Sequence, residues 1–335
     1  MLGTADQKQG IKKYLKENKE TLKLPTIILV LYVIVLGSIG FDFLLGMSLI
    51  RGVFSVPFLL FVPGYLILIN LKIKKLNILE NILFSIGLSL SFIVMFGLFI
   101  NTLSPSVGIE KPLSEVYVIP SFLIVIFALW FFAFKNKRFS TFNSNLTLNL
   151  RVNEILLITL LPCISILGTL LAHFYNFDIL IFVLYLIIGF TPLLVYLNFY
   201  HHESYPLLLF AIGISILYSI TLQSMYIFKD DIHIEFYFAN LANTNSYWNP
   251  NIGVTYNSII INVLGMSLFS KFSGINLNWI YKLVYPVILA LVPVGIYQVC
   301  NYVIQGEHRE KISFFGSCVF LFSMSFFKIL NIKQR

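Results

Sequence analysis

Charge divides this chain into apolar stretches, most of them about twenty residues long: 24–44, 52–71, 81–103, 117–134, 154–175, 178–199, 205–228, 280–303 and a shorter one at 312–327. A helix rises 1.5 Å per residue, so about 20 apolar residues cross a hydrocarbon layer about 30 Å thick. A charge at the centre of such a helix costs about 2.5–3.5 kcal/mol, and no stretch carries one near its middle; Asp42, Glu154 and Asp178 stand at ends. A large soluble helical core would need polar faces at the helical period, and these stretches are apolar all round. Only 11% of the residues are charged, against about 25% in a soluble domain. The predicted fold is therefore all-α, a polytopic transmembrane bundle of nine to ten spans whose first partner is membrane lipid.

The uncertain span is 256–272, YNSIIINVLGMSLFSKF, where Ser258, Asn262 and Gly265 recur on one less apolar face. That pattern, in so short a run, favours an amphipathic helix lying in the interface over a tenth span.

Charge also orients the chain. A head holding Lys8, Lys12, Lys13, Lys16, Lys19 and Lys23 precedes a first apolar stretch too long for a signal-peptide core, so the head is expected in the cytoplasm and the first span retained. With the head inside and the spans alternating, 15 of the 23 basic residues fall on the inner face, among them Lys72, Lys74, Lys75, Lys135, Lys137, Arg138, Arg151, Arg309 and Lys311. The cell membrane is the expected location. The net charge of +8 is spent flanking spans, where it meets anionic headgroups, and nucleic acid is excluded as a partner.

The expected organisation is a basic head at 1–23, a four-span bundle at 24–134, a cytoplasmic linker at 135–153, three spans at 154–228, an outer polar loop at 229–278 containing the interfacial helix, and two spans at 279–335. The sequon Asn145-Leu146-Thr147 lies in the linker, on the wrong side for glycosylation. Cys163, Cys300 and Cys318 form no C-x-x-C pair and read as packing residues. Pro57, Pro63 and Gly64 predict a kinked or broken second span.

Chemistry concentrates where the long loop begins, in Asp230-Asp231-Ile232-His233-Ile234-Glu235. If this run is helical, Asp231 and Glu235 share a face and His233 points nearly opposite; if extended, Asp231, His233 and Glu235 alternate onto one face. Either way two carboxylates pair, able to hold a divalent cation such as Mg2+ or Mn2+, or to act as general base toward a hydroxyl. The bland alternative is an acidic cap at the end of a span. Farther along, Trp248, Tyr256 and Asn257 stand among asparagines and aromatics, a surface suited to sugar hydroxyls and ring faces, or else an interfacial aromatic belt. His201-His202-Glu203 lacks a third spaced ligand and reads poorly as a metal site.

Residues 205–328, with Asp230-Asp231 and Glu235 after a span, a long loop with an interfacial helix, and Lys282 to Pro286 opening the next span, resemble the first outer loop of the C-type membrane glycosyltransferases. The resemblance implies transfer of a sugar from a polyprenyl-phosphate donor at the outer face. Asp230, Asp231 and Glu235 would then be the base or the metal ligands, and His233, Trp248, Tyr256 and Asn257 would contact substrate. In that superfamily the acidic loop follows the first span of the core, whereas here it follows the seventh stretch, and the remaining core spans would lie beyond residue 335. The chain is thus expected to be incomplete. Separately, Arg51, the run PFLLFVPGYLILINL at 57–71 and Glu80 resemble an uncharacterised, largely archaeal family of multi-pass proteins. The competing functions are a lipid or glycan transporter and a scaffold subunit. The transporter is disfavoured because no ionisable group sits within a span.

Overall fold

The computed structural model describes residues 3–73, 76–136, 138–139, 151–227 and 230–323, with backbone alone for 3–23, 153, 230 and 254. Lys74, Lys75, Lys137, Lys229, the sequon at 145–147 and the terminal Lys328, Lys333 and Arg335 lie outside the described residues. All the described regular structure is helical: α1 (Gly3–Leu45), α2 (Ser48–Asn70), α3 (Ile78–Leu103), α4 (Glu115–Lys135), α5 (Val152–Tyr175), α6 (Ile179–Tyr196), α7 (Tyr205–Thr221), α8 (Asp230–Asn245), the single turn α9 (Val254–Asn257), α10 (Met266–Ser273), the single turn α11 (Leu277–Trp279), α12 (Tyr285–Val303) and α13 (Arg309–Leu321). Two π-helical turns, Ile261–Gly265 and Ile280–Val284, lead into α10 and α12.

Among the described residues eight helices are long and apolar enough to cross a membrane, from Leu24–Leu45 to Leu277–Val303. Their outer faces carry large apolar side chains in the open, with Phe43 90%, Val116 77% and Phe182 65% exposed, which is unfavourable in water and natural in lipid. The chain is a multi-pass membrane protein. The ninth expected span, 312–327, falls on α13, described as Arg309–Leu321, and its last residues, 324–327, lie outside the described residues. The segment 256–272, expected as an interfacial helix, is helical in two parts: the single turn α9, then, after a break at 258–259, a π turn that runs directly into α10, with every residue from 262 to 270 buried.

The chain divides into two compact units, 1–146 with 245–247 and 268–275, and 147–244 with 248–267 and 276–335. In the first, α2 is central and packs on α1, α3 and α4. Despite Pro57 and Pro63, α2 runs unbroken from Ser48 to Asn70. Gly64 allows a tight contact, donating its N–H to Ser89 Oγ at 2.8 Å. A β-carbon on Gly64 would stand 1.9 Å from the Ser85 carbonyl oxygen. Close approach through small residues is how helices associate where lipid removes the hydrophobic drive. Asn77 and Glu80 close a reciprocal cap on α3, each side chain bonding the other's backbone N–H at 2.8 Å.

At one end of this unit Arg51, 5% exposed, collects a buried network. Its Nη1 donates to Asp42 Oδ2 at 3.0 Å and Glu115 Oε2 at 3.1 Å, its Nε to the Phe272 carbonyl at 2.8 Å, and its Nη2 to the Lys271 carbonyl. Arg51 therefore caps the C-terminus of α10, whose last carbonyls have no partner within the helix. Gly274 follows with φ +69° and abuts Arg51 and Asp42, a position no larger residue fills without strain. Phe122 packs edge-on to Phe96 and Phe272, with centroids 5.0 and 4.7 Å away. At the other end Arg138 donates to the Asn70 carbonyl. Within this unit, then, the α1–α2 connection, the start of α4 and residues 271–272 share one end.

In the second unit α7 is central, against α5 and α12, with α6 on α5 and α13 on α12. Its small residues set the spacing: the Ser215 carbonyl accepts from Ser165 Oγ at 2.6 Å, and a β-carbon on Gly213 would lie 3.4 Å from Ala290 Cα.

Candidate functional site

Of the two geometries open for residues 230–235, the helix is the one formed. Asp231 and Glu235 therefore stand one turn apart on one face of α8, and His233 is exposed on another. The Asp230 side chain lies outside the described residues.

Glu235 is 8% exposed. Its Oε2 accepts from Asn262 Nδ2 at 2.6 Å, and the same amide reaches Tyr285 Oη at 3.2 Å. Tyr281 donates its hydroxyl to the Asn262 carbonyl at 2.6 Å, and the edge of one ring meets the other where Phe236 packs on Tyr281, with centroids 5.4 Å apart. Asn262 and Tyr281 each sit in a π turn, and Tyr285 directly follows the second. A π turn holds one residue more than an α turn, so it rotates its side chains off the regular helical stripe, a device common at functional sites. Burial pushes the Glu235 carboxyl above its ordinary range; the Asn262 amide pulls it back, and the neighbouring Asp231 charge raises it further.

Asp231 is half-buried and its Oδ1 accepts the Tyr256 hydroxyl at 2.5 Å. Tyr256, expected to meet a substrate, thus orients a carboxylate. Asn257 and Trp248, expected in the same role, hold the loop in shape. Trp248 Nε1 donates to Asn257 Oδ1 at 2.8 Å, and Asn257 Nδ2 donates to the Asn249 and Ile252 carbonyls, both at 2.7 Å. Gly253, at φ +60° with the Phe238 ring against it, completes that loop.

No protein-family model, curated protein or solved structure matches this chain. What the site can do therefore rests on its own chemistry. Among the described residues no three His, Cys, Asp or Glu side chains gather as a metal site would require. Glu235 meets an amide N–H, which favours its charged form, in surroundings whose burial favours the neutral one. Asn262, Tyr281 and Tyr285 were not singled out from the sequence as site residues. The four-residue spacing of the two tyrosines at the start of a span was the available signal.

Proposed function

We propose that this membrane protein transfers a sugar from a polyprenyl-phosphate donor, with Asp231 as general base and Glu235 behind it. The reading is carried by one observation: two carboxylates, one turn apart, are held against a polar cluster of Tyr256, Asn262, Tyr281 and Tyr285 beside the end of a span. The half-buried Asp231 is the group within reach of a substrate. It would take the proton of an acceptor hydroxyl while that oxygen attacks the anomeric carbon. The bond from that carbon to phosphate oxygen breaks, and polyprenyl phosphate leaves with the electron pair. Tyr256 holds one oxygen of the carboxylate in place, and burial favours the neutral form of Glu235 behind it. Seven candidate spans precede the loop among the described residues, and their alternation supports the outer-face position this reading requires.

The test is release of polyprenyl phosphate by the full chain in proteoliposomes, supplied with a panel of polyprenyl-phosphate monosaccharides and a mixture of glycan acceptors. Asp231→Asn should slow release by about 10²–10⁴-fold, the usual worth of a general base. Undiminished release by that variant removes Asp231 from the mechanism, and no release by the unaltered chain from any donor overturns the reading.

A further inference from the structure

At the N-terminal end of α7, whose 17 residues rise about 25 Å, the second unit holds a cleft of about 350 Å³ that the proposed transfer does not use. One wall is the α6–α7 connection, with Tyr200, His201 and His202; the other is Glu307 of the α12–α13 connection with Glu310 and Lys311 of the first turn of α13, where Glu310 also lies 3.7 Å from the exposed Arg309 and Lys311 reaches the Tyr196 carbonyl at 3.4 Å. Both connections follow an even-numbered candidate span, so both belong to the side of the N-terminal head.

The cleft is braced from behind. Glu154, 1% exposed, accepts the His201 backbone N–H at 3.0 Å and lies 3.3 Å from His201 Nδ1. Its second oxygen is buried without a partner among the described residues. A carboxylate on Nδ1 fixes the ring and leaves Nε2 for something else. The cleft thus carries imidazoles and an ammonium on one hand and two carboxylates on the other. A simple anion would meet Glu307 and Glu310, and a simple cation would meet Lys311. A ligand bearing a phosphate and a primary amine a few ångströms apart satisfies both sets.

The rim decides between a soluble zwitterion and a lipid. Tyr196, Leu197 and Phe199 beside one wall, and Ile312 beside the other, are 66%, 63%, 48% and 51% exposed. Apolar side chains flanking a polar cleft at the ends of spans are a place for acyl chains below a headgroup. We infer that this cleft binds the headgroup of an aminophospholipid of the phosphatidylethanolamine type on the side of the N-terminal head, the phosphate meeting Lys311 and the imidazoles and the ammonium meeting Glu307 and Glu310.

Native mass spectrometry of the full chain, exchanged from detergent against defined lipids, reads this directly. Phosphatidylethanolamine should be retained about tenfold better than phosphatidylglycerol, which lacks the amine, and than phosphatidylcholine, whose quaternary nitrogen cannot donate to a carboxylate. Glu307→Gln with Glu310→Gln should abolish that preference, and Lys311→Ala should weaken all three lipids. Soluble glycerophosphoethanolamine should compete only at far higher concentration. Equal retention of the three lipids by the unaltered chain overturns the inference even if a variant fails to fold, as does a preference that survives the double substitution. Competition by the soluble headgroup at the lipid's own concentration assigns the cleft to a soluble ligand and overturns it as well.

Discussion

Replacing Asn262 by Leu tests whether the buried Glu235 carboxylate depends on a single amide. The substitution removes the 2.6 Å bond to Glu235 and the longer one to Tyr285 while leaving the Asn262 carbonyl, which Tyr281 holds, in place. A hydrogen bond to a charged group contributes about 1.5–3 kcal/mol and one between neutral groups about 0.5–1.5 kcal/mol. Asn262 is 7% exposed, so burying an apolar side chain there returns part of the loss. The net destabilisation above the raised pKa of Glu235 comes to about 2 kcal/mol, roughly a 30-fold change in the unfolding equilibrium.

The cost has to depend on the charge. Below that pKa the carboxyl is neutral, and the same substitution should cost about 1 kcal/mol. Equilibrium unfolding in mixed micelles, followed along a pH series and compared at its acidic and alkaline ends, measures both. Repeating Asn262→Leu on a Glu235→Gln background completes a cycle, where a coupling of about 1 kcal/mol is expected at the higher pH. A cost that is the same at both pH values, and additive within about 0.5 kcal/mol, would refute the claim that Asn262 acts through the ionised carboxylate.

Three further outcomes follow from the same structure. Glu235→Gln alone should flatten the pH dependence of stability: a carboxyl raised in the folded state adds stability fully present below its unfolded pKa of about 4.3, and loses it as pH rises through the folded value. Gln carries no such loss, so its stability relative to Glu should increase with pH across that window; a difference that does not vary with pH contradicts the burial argument. Gly64→Val drives atoms into the Ser85 backbone and should destabilise the first unit by about 3 kcal/mol or more, read as a lower unfolding midpoint, whereas Gly87→Val, with open space around it, should be nearly silent. Arg51→Lys keeps the charge but loses the fork that reaches two carboxylates and two carbonyls; it should cost about 3 kcal/mol, and protection of the 268–275 amides in hydrogen exchange should fall with it.

The spans were legible because lipid demands length and apolarity, and both are local properties of a sequence. Their ends were not. The stretch 205–228 reads as one span, but α7 stops at Thr221 although Met225, Tyr226 and Ile227 keep the run apolar. The stop is set from outside: the Ser224 carbonyl is covered by the Lys282 ammonium and the Met225 carbonyl by Asn278, more than fifty residues along the chain. The Asp231–Glu235 pair was legible as one helical turn. Its partners were hidden, because the π turns at Ile261–Gly265 and Ile280–Val284 shift register by a residue and defeat any search for a 3.6-residue period. Glu154 and His201 are 47 positions apart, and only the packing of α5 beside the α6–α7 connection brings them together.

The broken segment from α9 to α11 is the physical counterpart of that hidden information. Irregular backbone beside a membrane is tolerated only where protein satisfies its polar groups. Here several carbonyls in and beside the short helices have named side-chain partners: those of Lys271 and Phe272 are met by Arg51, that of Ile275 by Ser270, that of Asn262 by Tyr281, and those of Asn249 and Ile252 by Asn257. The segment's polar groups are thus met by side chains near and far in sequence, Asn262 reaching Glu235 and Tyr285 while Arg51 reaches the end of α10. The groups left to do chemistry in it narrow to the two carboxylates of α8 and the side chains that touch them.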